Sequence, residues 1–163
     1  MAKVELRPHL ETFLKSVSSD FDLAVWTAAS EDWMRAGLAT VQRETGFELE
    51  DRAFFLWHRD RCTVRRNSEG QYDLVKHARK FRARWIRERY PRDRILVIDD
   101  QARNYASGFG HLIRVSGWTG EGDDTELLQL AQYLGSVASE PDLRTLEKRG
   151  WRARVALLNS AHP

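Results

Sequence analysis

The stretch Ile95-Leu96-Val97-Ile98-Asp99-Asp100 is the most informative segment of this 163-residue chain. Its four consecutive apolar residues show no polar alternation, which predicts a strand that is buried on both faces, as in a parallel sheet. Two acidic residues follow at once. Because ligands of open parallel sheets bind beyond the carboxyl ends of the strands, this segment predicts an acidic group at a ligand-binding edge.

Other short apolar runs alternate with segments of helical periodicity on both sides of this strand. Strands are predicted at Leu23–Trp26, Ala53–Trp57 and His111–Val115. Helices are predicted after Pro8, after the capping residue Ser30, along a stripe of Leu74, Ala78, Phe81 and Trp85, and after Asp123 as a cap with Glu126 three residues on. The turn Asn67–Gly70 predicts a small hairpin. This order indicates an α/β layered domain.

Length and composition limit the class of protein. The chain has the size of a single domain, residues 1–163, and its 42% hydrophobic residues suffice for a sizeable core. With 26 Lys and Arg against 24 Asp and Glu, the net charge of +2 excludes a histone-like or strongly acidic protein. No apolar run predicts a membrane span or a signal peptide. The single cysteine, Cys62, forbids an internal disulfide and predicts a cytoplasmic location.

Four residues at predicted strand and helix ends could carry phosphate chemistry. Thr27 follows the first strand, Lys76 lies near the opening of a helix, and Asp99 and Asp100 follow the strand described above. Carboxylates hold Mg²⁺, while a hydroxyl and a lysine bind phosphoryl oxygens and offset negative charge in the transition state. The same residues have simpler interpretations, namely a helix cap or loop for the acid pair, an ordinary strand end for Thr27 and a solvated Lys76.

Two further features have both a functional and a structural interpretation. Cys62 could be a nucleophile, but no histidine partner lies nearby in the sequence, and a lone cysteine is commonly just buried. The segment Lys76–Arg94 holds nine Lys or Arg and two acids. Lys80, Arg84 and Arg87 would share one face of the predicted helix. That face is either a solvated surface with Trp85 turned to the core, or an electropositive rim for a phosphorylated protein or, less favoured, a nucleic acid.

Taken in order, several segments resemble a known family. They are Val4–Leu10, Phe13-Leu14, Phe21–Ala28, Asp60–Thr63, Leu74–Lys76, Ile95–Asp100, Asp123–Leu127 and Glu147–Trp151. Their order and spacing are similar to those of the NIF-type phosphatases, which are relatives of the phosphatases acting on the C-terminal domain of RNA polymerase II. This family belongs to the haloacid dehalogenase superfamily. The resemblance covers roughly residues 3–152.

The resemblance implies a fold, a reaction and a role for each site residue. The fold would be a Rossmann-like three-layer sandwich with a mainly parallel sheet. The reaction would be hydrolysis of phosphomonoesters, on a phosphoprotein or a small phosphoester, through an aspartyl-phosphate with Mg²⁺ as cofactor. Thr27 matches the motif that hydrogen-bonds the phosphoryl group, and Lys76 matches the lysine motif. Asp99 and Asp100 match the motif that holds Mg²⁺.

The chain departs from the family in two places. Gln101 and Ala102 stand where relatives usually carry Ser or Thr and then Pro. More seriously, the Asp-x-Asp-x-Thr motif that supplies the nucleophile is absent, since the first aspartate, Asp20, precedes the first predicted strand. The strand that carries this motif is central in the superfamily sheet, so its loss would leave two strands without a neighbour.

This absence leaves three hypotheses for the function. The first is a phosphatase domain that is incomplete at its N-terminus and has little or no activity as it stands. The second is a non-catalytic module, a pseudophosphatase, which binds phosphorylated ligands or a protein partner. The third is an accessory protein that uses the basic segment on nucleic acid. An upstream segment that encodes the missing motif would favour the first.

Overall fold

The computed structural model describes residues 4–105 and 107–161, which form a mixed α/β structure. Residues 1–3, 106, 162 and 163 of the predicted single domain lie outside the described residues. The helices are α1 (Leu10–Val17), α2 (Glu31–Thr45), α3 (Leu49–Arg52), α4 (Arg84–Arg87), α5 (Glu126–Val137) and α6 (Trp151–Ser160). The strands are β1 (Val25–Trp26), β2 (Leu56–Trp57), β3 (Thr63–Arg66), β4 (Tyr72–Val75), β5 (Val97–Asp99) and β6 (Leu112–Arg114).

The strands form three small sheets of two strands each. β1 pairs in parallel with β2, and β5 pairs in parallel with β6. β3 and β4 form an antiparallel hairpin around the turn that Asn67–Gly70 predicted. Parallel strands between helices confirm the predicted α/β class, whereas the three-layer sandwich stays a prediction. Within the described residues, no strand pairing joins the β1–β2 sheet to the β5–β6 sheet.

Helices α1, α2 and α5 begin close to the predicted residues, whereas α6 was not predicted. Ser30 caps α2, its side-chain oxygen accepting a hydrogen bond from the backbone N–H of Trp33 at 3.4 Å. Gly46, at φ 70°, ends α2 in the left-handed conformation that glycine adopts at little cost. The prediction that Asp123 caps α5 is wrong. The cap position is Thr125, and the Asp124 Oδ1 accepts a hydrogen bond from the N–H of Glu126 at 2.9 Å. Asp124 thus supplies the side-chain oxygen that Asp123 was expected to supply.

The buried side chains form two clusters. The larger one joins α1, α5 and α6 around fully buried residues such as Ile113, Leu130 and Trp151. The smaller one, beside β2, contains Trp57, Ala78, Phe81, Ile86 and Tyr105. No helix in the ranges 4–105 and 107–161 combines the length and the apolar character needed to cross a bilayer.

The helix predicted along Leu74, Ala78, Phe81 and Trp85 is not formed. Leu74 lies in β4, while Ala78 and Phe81 lie in a 3₁₀ turn over Ala78–Arg82. The reason is that the backbone of β4 pairs with β3 in the hairpin, with Leu74 opposite Val64, so those backbone groups are not available to a helix. Ala78 and Phe81 are nevertheless buried, as their apolar spacing predicted.

Trp85 is not a core residue, and the prediction that placed it there is wrong. Its side chain is 46% exposed. It lies in α4, which is only one turn long, and its ring stands 5.3 Å from that of Phe54 and 6.1 Å from that of Phe55. The core position of this turn is taken by the next residue, Ile86, which is 1% exposed.

Candidate functional site

Asp99 and Lys76 form a buried ion pair at the carboxyl end of β5. Asp99 ends the strand, and Lys76 follows the last residue of β4. The Lys76 ammonium Nζ donates to Asp99 Oδ2 at 2.7 Å, and the two side chains are only 15% and 3% exposed. The backbone N–H of Gln101 donates to the other carboxylate oxygen at 2.7 Å, and the Asn104 amide lies 3.4 Å from both oxygens. The Asp99 carboxylate is thus held in place by a donor at each of its two oxygens.

Asp100 differs from Asp99 in that its side chain is exposed. Its Oδ2 accepts a hydrogen bond from the Gln101 side-chain amide at 3.3 Å. The backbone of Gly117 lies so close that a Cβ there would stand 3.3 Å from the same oxygen. The Asp100 carboxylate therefore has fewer protein donors than Asp99 and faces the solvent side of the strand end.

Thr27 lies at the carboxyl end of β1, where its carbonyl oxygen lies near the Cys62 thiol. The N–H of Thr27 donates to the Trp57 carbonyl at 2.8 Å, and its hydroxyl accepts from the N–H of Ala29 at 3.1 Å. The Cys62 thiol lies 3.8 Å from the Thr27 carbonyl oxygen and within electrostatic range of Lys76 and Asp99. The structure thus places Thr27 at the end of β1 and Asp99 and Asp100 at the end of β5, with Lys76 paired to Asp99. The chemical roles of all four residues stay predictions.

Cys62 itself is a poor nucleophile in this position. Burial raises the pKa of its thiol above the ordinary value, an effect that outweighs the opposing influence of Lys76 and Lys80. Since the thiolate is the reactive form, a raised pKa disfavours attack at neutral pH.

A groove of about 260 Å³ lies between β1 and β5. Leu23, Ala24 and Trp26 line it from one side, Ile95–Asp99 from the other, and Lys76 is also in its wall. The N–H groups of Val25 and Thr27 donate to backbone carbonyls on the β2 side. Alternate residues of a strand direct their peptide groups to opposite sides, so those of Ala24 and Trp26 face the groove.

β5 likewise directs backbone peptide groups toward the groove. Val97 pairs with Leu112, and the Asp99 carbonyl accepts from the N–H of Val115 at 3.2 Å, so the peptide groups of Leu96 and Ile98 turn away from β6. Ile98 is 40% exposed, which makes the prediction of a strand buried on both faces wrong. Within residues 4–105 and 107–161, β5 pairs with β6 alone, so no second neighbouring strand shields the Ile98 side chain.

The oxygen donors at this strand end fit Mg²⁺ in its usual protein setting. Among residues 4–105 and 107–161, no group of three or more His, Cys, Asp or Glu side chains could enclose a metal ion. Mg²⁺ commonly binds through one or two carboxylates, with waters and substrate phosphates completing its shell. Asp99 and Asp100 supply that number of carboxylates, and the less engaged Asp100 has the free oxygens.

The basic face predicted for Lys80, Arg84 and Arg87 is not formed. Lys80 lies in the 3₁₀ turn and the two arginines lie in α4, so no single helix aligns the three. Arg84 and Arg87 are exposed, as predicted, and Arg84 pairs with Glu88 at 2.7 Å.

The sequence analysis overlooked Asn104 and Tyr105. Asn104 is buried against the Asp99 carboxylate, and Tyr105 is 1% exposed. Burial raises the pKa of the Tyr105 hydroxyl, and the negative charge of Asp99 adds to the effect. The sequence signal for Asn104 is a polar residue a few positions after the acid pair. This pattern is too common in proteins to indicate a site.

A family model described as NLI interacting factor-like phosphatase matches residues 1–144. The chain belongs to this family. It is 26% identical over 157 residues to Ubiquitin-like domain-containing CTD phosphatase 1 of Xenopus laevis, covering 93% of this chain and 48% of that protein. It is 25% identical over 152 residues to the Homo sapiens protein of the same name, covering 90% of this chain and 46% of the relative.

A more distant relative in the NLI interacting factor-like family is Nuclear envelope morphology protein 1 of Saccharomyces cerevisiae. The chain is 23% identical to it over 143 residues, which cover 88% of the chain and 31% of that protein. The chain thus spans about half the length, or less, of the curated relatives it matches. Membership of this phosphatase family confirms the resemblance found in the sequence and supports a phosphatase-type function.

Proposed function

We propose that this domain holds a phosphomonoester at the carboxyl ends of β1 and β5 and forms the supporting half of a phosphatase site. The observation that carries the proposal is the buried pair of Lys76 and Asp99, at 2.7 Å, beside the open groove. Lys76 is a fixed cation for phosphoryl oxygens, and the Thr27 hydroxyl at the end of β1 would be a second donor to them. These are the functions that phosphoryl transfer requires from residues other than the nucleophile.

The groove supports a second part of the proposal, that one more strand completes the site. The peptide groups of Ala24 and Trp26 face those of Leu96 and Ile98 across it, so a parallel strand placed there would pair on both sides. Its carboxyl end would lie next to Lys76 and Asp99. An aspartate at that end would be placed to attack the phosphorus, which no described residue of the site is placed to do. Without such a strand the domain has little or no turnover.

Mg²⁺ is the cofactor we propose, with Asp99 and Asp100 as its protein ligands. When bound, the ion neutralises charge on the phosphoryl group. The chain's own residues then have separate tasks. Lys76 orients the Asp99 carboxylate and a phosphoryl oxygen, and Gln101 and Asn104 keep the carboxylate in place through their hydrogen bonds.

The substrate class we propose is phosphoserine or phosphothreonine in a protein. The support comes from the relatives, since two of those described above are named as phosphatases of a CTD. Asp100 is exposed at the carboxyl end of β5, so a phosphorylated residue on the surface of another protein could reach this edge.

The test is to supply such a strand. The full chain is extended at its amino end by a short apolar strand that ends in Asp-x-Asp-x-Thr, and a matched version ends in Asn-x-Asn-x-Thr. Hydrolysis of an aryl phosphate is measured with Mg²⁺. We expect little or no turnover by the chain alone or by the Asn version, and clear turnover by the Asp version that is lost in Lys76→Met.

Two outcomes would overturn this account. Robust turnover by the unextended chain that disappears in Asp100→Ala would require a nucleophile other than the one proposed. An extended chain that is folded and monodisperse, binds a phosphoserine peptide and still has no activity would favour the non-catalytic binding module instead.

A further inference from the structure

A second cavity, of about 930 Å³, lies beside Asp100, whereas the groove lies beside Asp99. Asp100 lines it, and Tyr105 lines both this cavity and the groove, so the two meet at the end of β5. Five of its lining side chains are cationic and two are anionic. The cations are Arg114, Arg144, Lys148, Arg149 and Arg152, and the anions are Asp100 and Glu147.

Three of the five cations are already engaged by the protein. Arg149 pairs with Glu147 at 2.8 Å, and Arg152 pairs with Glu126. Lys148 is 5% exposed and donates to three backbone carbonyls, the nearest being that of Leu143 at 2.6 Å. These contacts fix the loop that precedes α6 and satisfy its charges, so they do not call for a ligand.

Arg114 and Arg144 are different. Among the described residues, neither forms an ion pair, and the one hydrogen bond of the Arg114 side chain is a long one, 3.4 Å to the Asp100 carbonyl. The Arg144 Nε is fully buried with no hydrogen-bond partner. A Cβ at Gly110 would lie 3.5 Å from both Nε and Nη2 of Arg144, so Gly110 lies close against this edge of the guanidinium. A buried, unpartnered donor of this kind is costly unless something accepts from it.

We infer that this cavity is a second anion subsite, in which Arg114 and Arg144 bind a phosphate or carboxylate group of the ligand whose first phosphate lies at Lys76. The planar guanidinium presents parallel donors that match the oxygens of such groups. The inference rests on the proposed function for the position of the first phosphate. It adds a substrate preference, namely a peptide with a second anionic residue next to its phosphorylated residue.

The test compares the affinity of the full chain for three sets of peptides by titration calorimetry. One set carries a single phosphoserine, one carries two phosphoserines with one to three residues between them, and one carries glutamate in place of the second phosphoserine. The variants are Arg144→Gln, Arg114→Gln, the charge-conserving Arg144→Lys, Lys76→Met and the control Arg43→Gln, whose side chain is exposed on α2. Circular dichroism confirms that each variant is folded.

We expect the doubly phosphorylated peptide of suitable spacing to bind more tightly than the singly phosphorylated one. Arg144→Gln and Arg114→Gln should each lower that affinity about tenfold, the effect of losing one charge-assisted donor group, without changing the affinity for the single phosphoserine. Arg144→Lys should lie between Arg144→Gln and the unchanged chain, and Arg43→Gln should have no effect. The glutamate peptides distinguish a preference for phosphate from one for any anion.

The inference is overturned if no doubly phosphorylated or glutamate peptide binds better than the single phosphoserine, or if the arginine variants weaken all peptides equally. Its failure is separable from that of the proposed function. If Lys76→Met changes no affinity while Arg144→Gln does, the cavity binds an anion and the first-phosphate site is wrong. If only Lys76→Met matters, the first site stands and the subsite does not exist.

Discussion

Replacing Lys76 with methionine should destabilise the fold, because it leaves the Asp99 carboxylate buried without its cation. The two groups are 2.7 Å apart and their side chains are 15% and 3% exposed. Breaking a buried ion pair in this way costs about 3–5 kcal/mol. Asp99 keeps its hydrogen bonds from Gln101 and Asn104, so we expect the lower end, about 3 kcal/mol. For a chain of this length, that loss lowers the melting temperature by roughly 6–12 °C.

Urea denaturation of four proteins measures this effect. They are the unchanged chain, Lys76→Met, Asp99→Asn and the double variant, which together give the coupling energy of the pair. The matched control is Arg84→Met, since Arg84 and Glu88 are also 2.7 Å apart but 86% and 60% exposed, and its cost should stay below about 1 kcal/mol. If Lys76→Met costs no more than Arg84→Met and the coupling energy is near zero, the reasoning about the buried pair is wrong.

Three further predictions follow from burial and charge. Trp85→Ala should cost about 2 kcal/mol because half of the ring is already in water, whereas Ile86→Ala, at 1% exposure, should cost about 4 kcal/mol; equal losses in urea denaturation would contradict this. His111 is buried and its Nδ1 lies 2.8 Å from the Ile95 carbonyl, and burial lowers its pKa below the ordinary 6.5, so the unfolded chain binds the proton first. The free energy of unfolding should therefore be highest above pH 6.5 and decline below it, and His111→Gln should reduce that decline, to which His77, whose pKa burial also lowers, contributes as well; an unchanged pH profile would count against it. Asp100→Asn should leave stability within about 0.5 kcal/mol, because the side chain is exposed, while weakening Mg²⁺-dependent binding of a phosphoserine peptide; a variant that responds to Mg²⁺ as the unchanged chain does would exclude Asp100 as a ligand.

The sequence was sufficient wherever the deciding interactions are local. Ser30 caps the start of α2, as predicted, and the apolar residues at helical spacing along this helix, Met34, Leu38 and Val41, are buried. The α/β class followed from short apolar runs between helices. The proximity of Lys76 to Asp99 was expected as well, but Lys76 reaches Asp99 from the end of the β3–β4 hairpin and not from the opening of a helix.

The sequence was insufficient wherever a distant segment decides the structure. The stripe from Leu74 to Trp85 has helical spacing, yet the pairing of Leu74 with Val64 in the hairpin takes the first part of it into a strand. Ile98 has the character of a buried residue, but its burial depends on a neighbouring strand that the described chain does not place there. Arg114 and Arg144 are thirty positions apart, and only the fold brings both to one cavity.

The most direct measurement of the central claim is the affinity of the full chain for a singly phosphorylated phosphoserine peptide in the presence of Mg²⁺. It is determined by calorimetry for the unchanged chain, Lys76→Met and Thr27→Val, with the unphosphorylated peptide as the control. The account predicts binding that requires the phosphate and that falls about tenfold in each variant, as expected for the loss of one donor to a charged group. Equal affinity of the unchanged chain and both folded variants would contradict a phosphate site formed by Thr27 and Lys76 at the ends of β1 and β5.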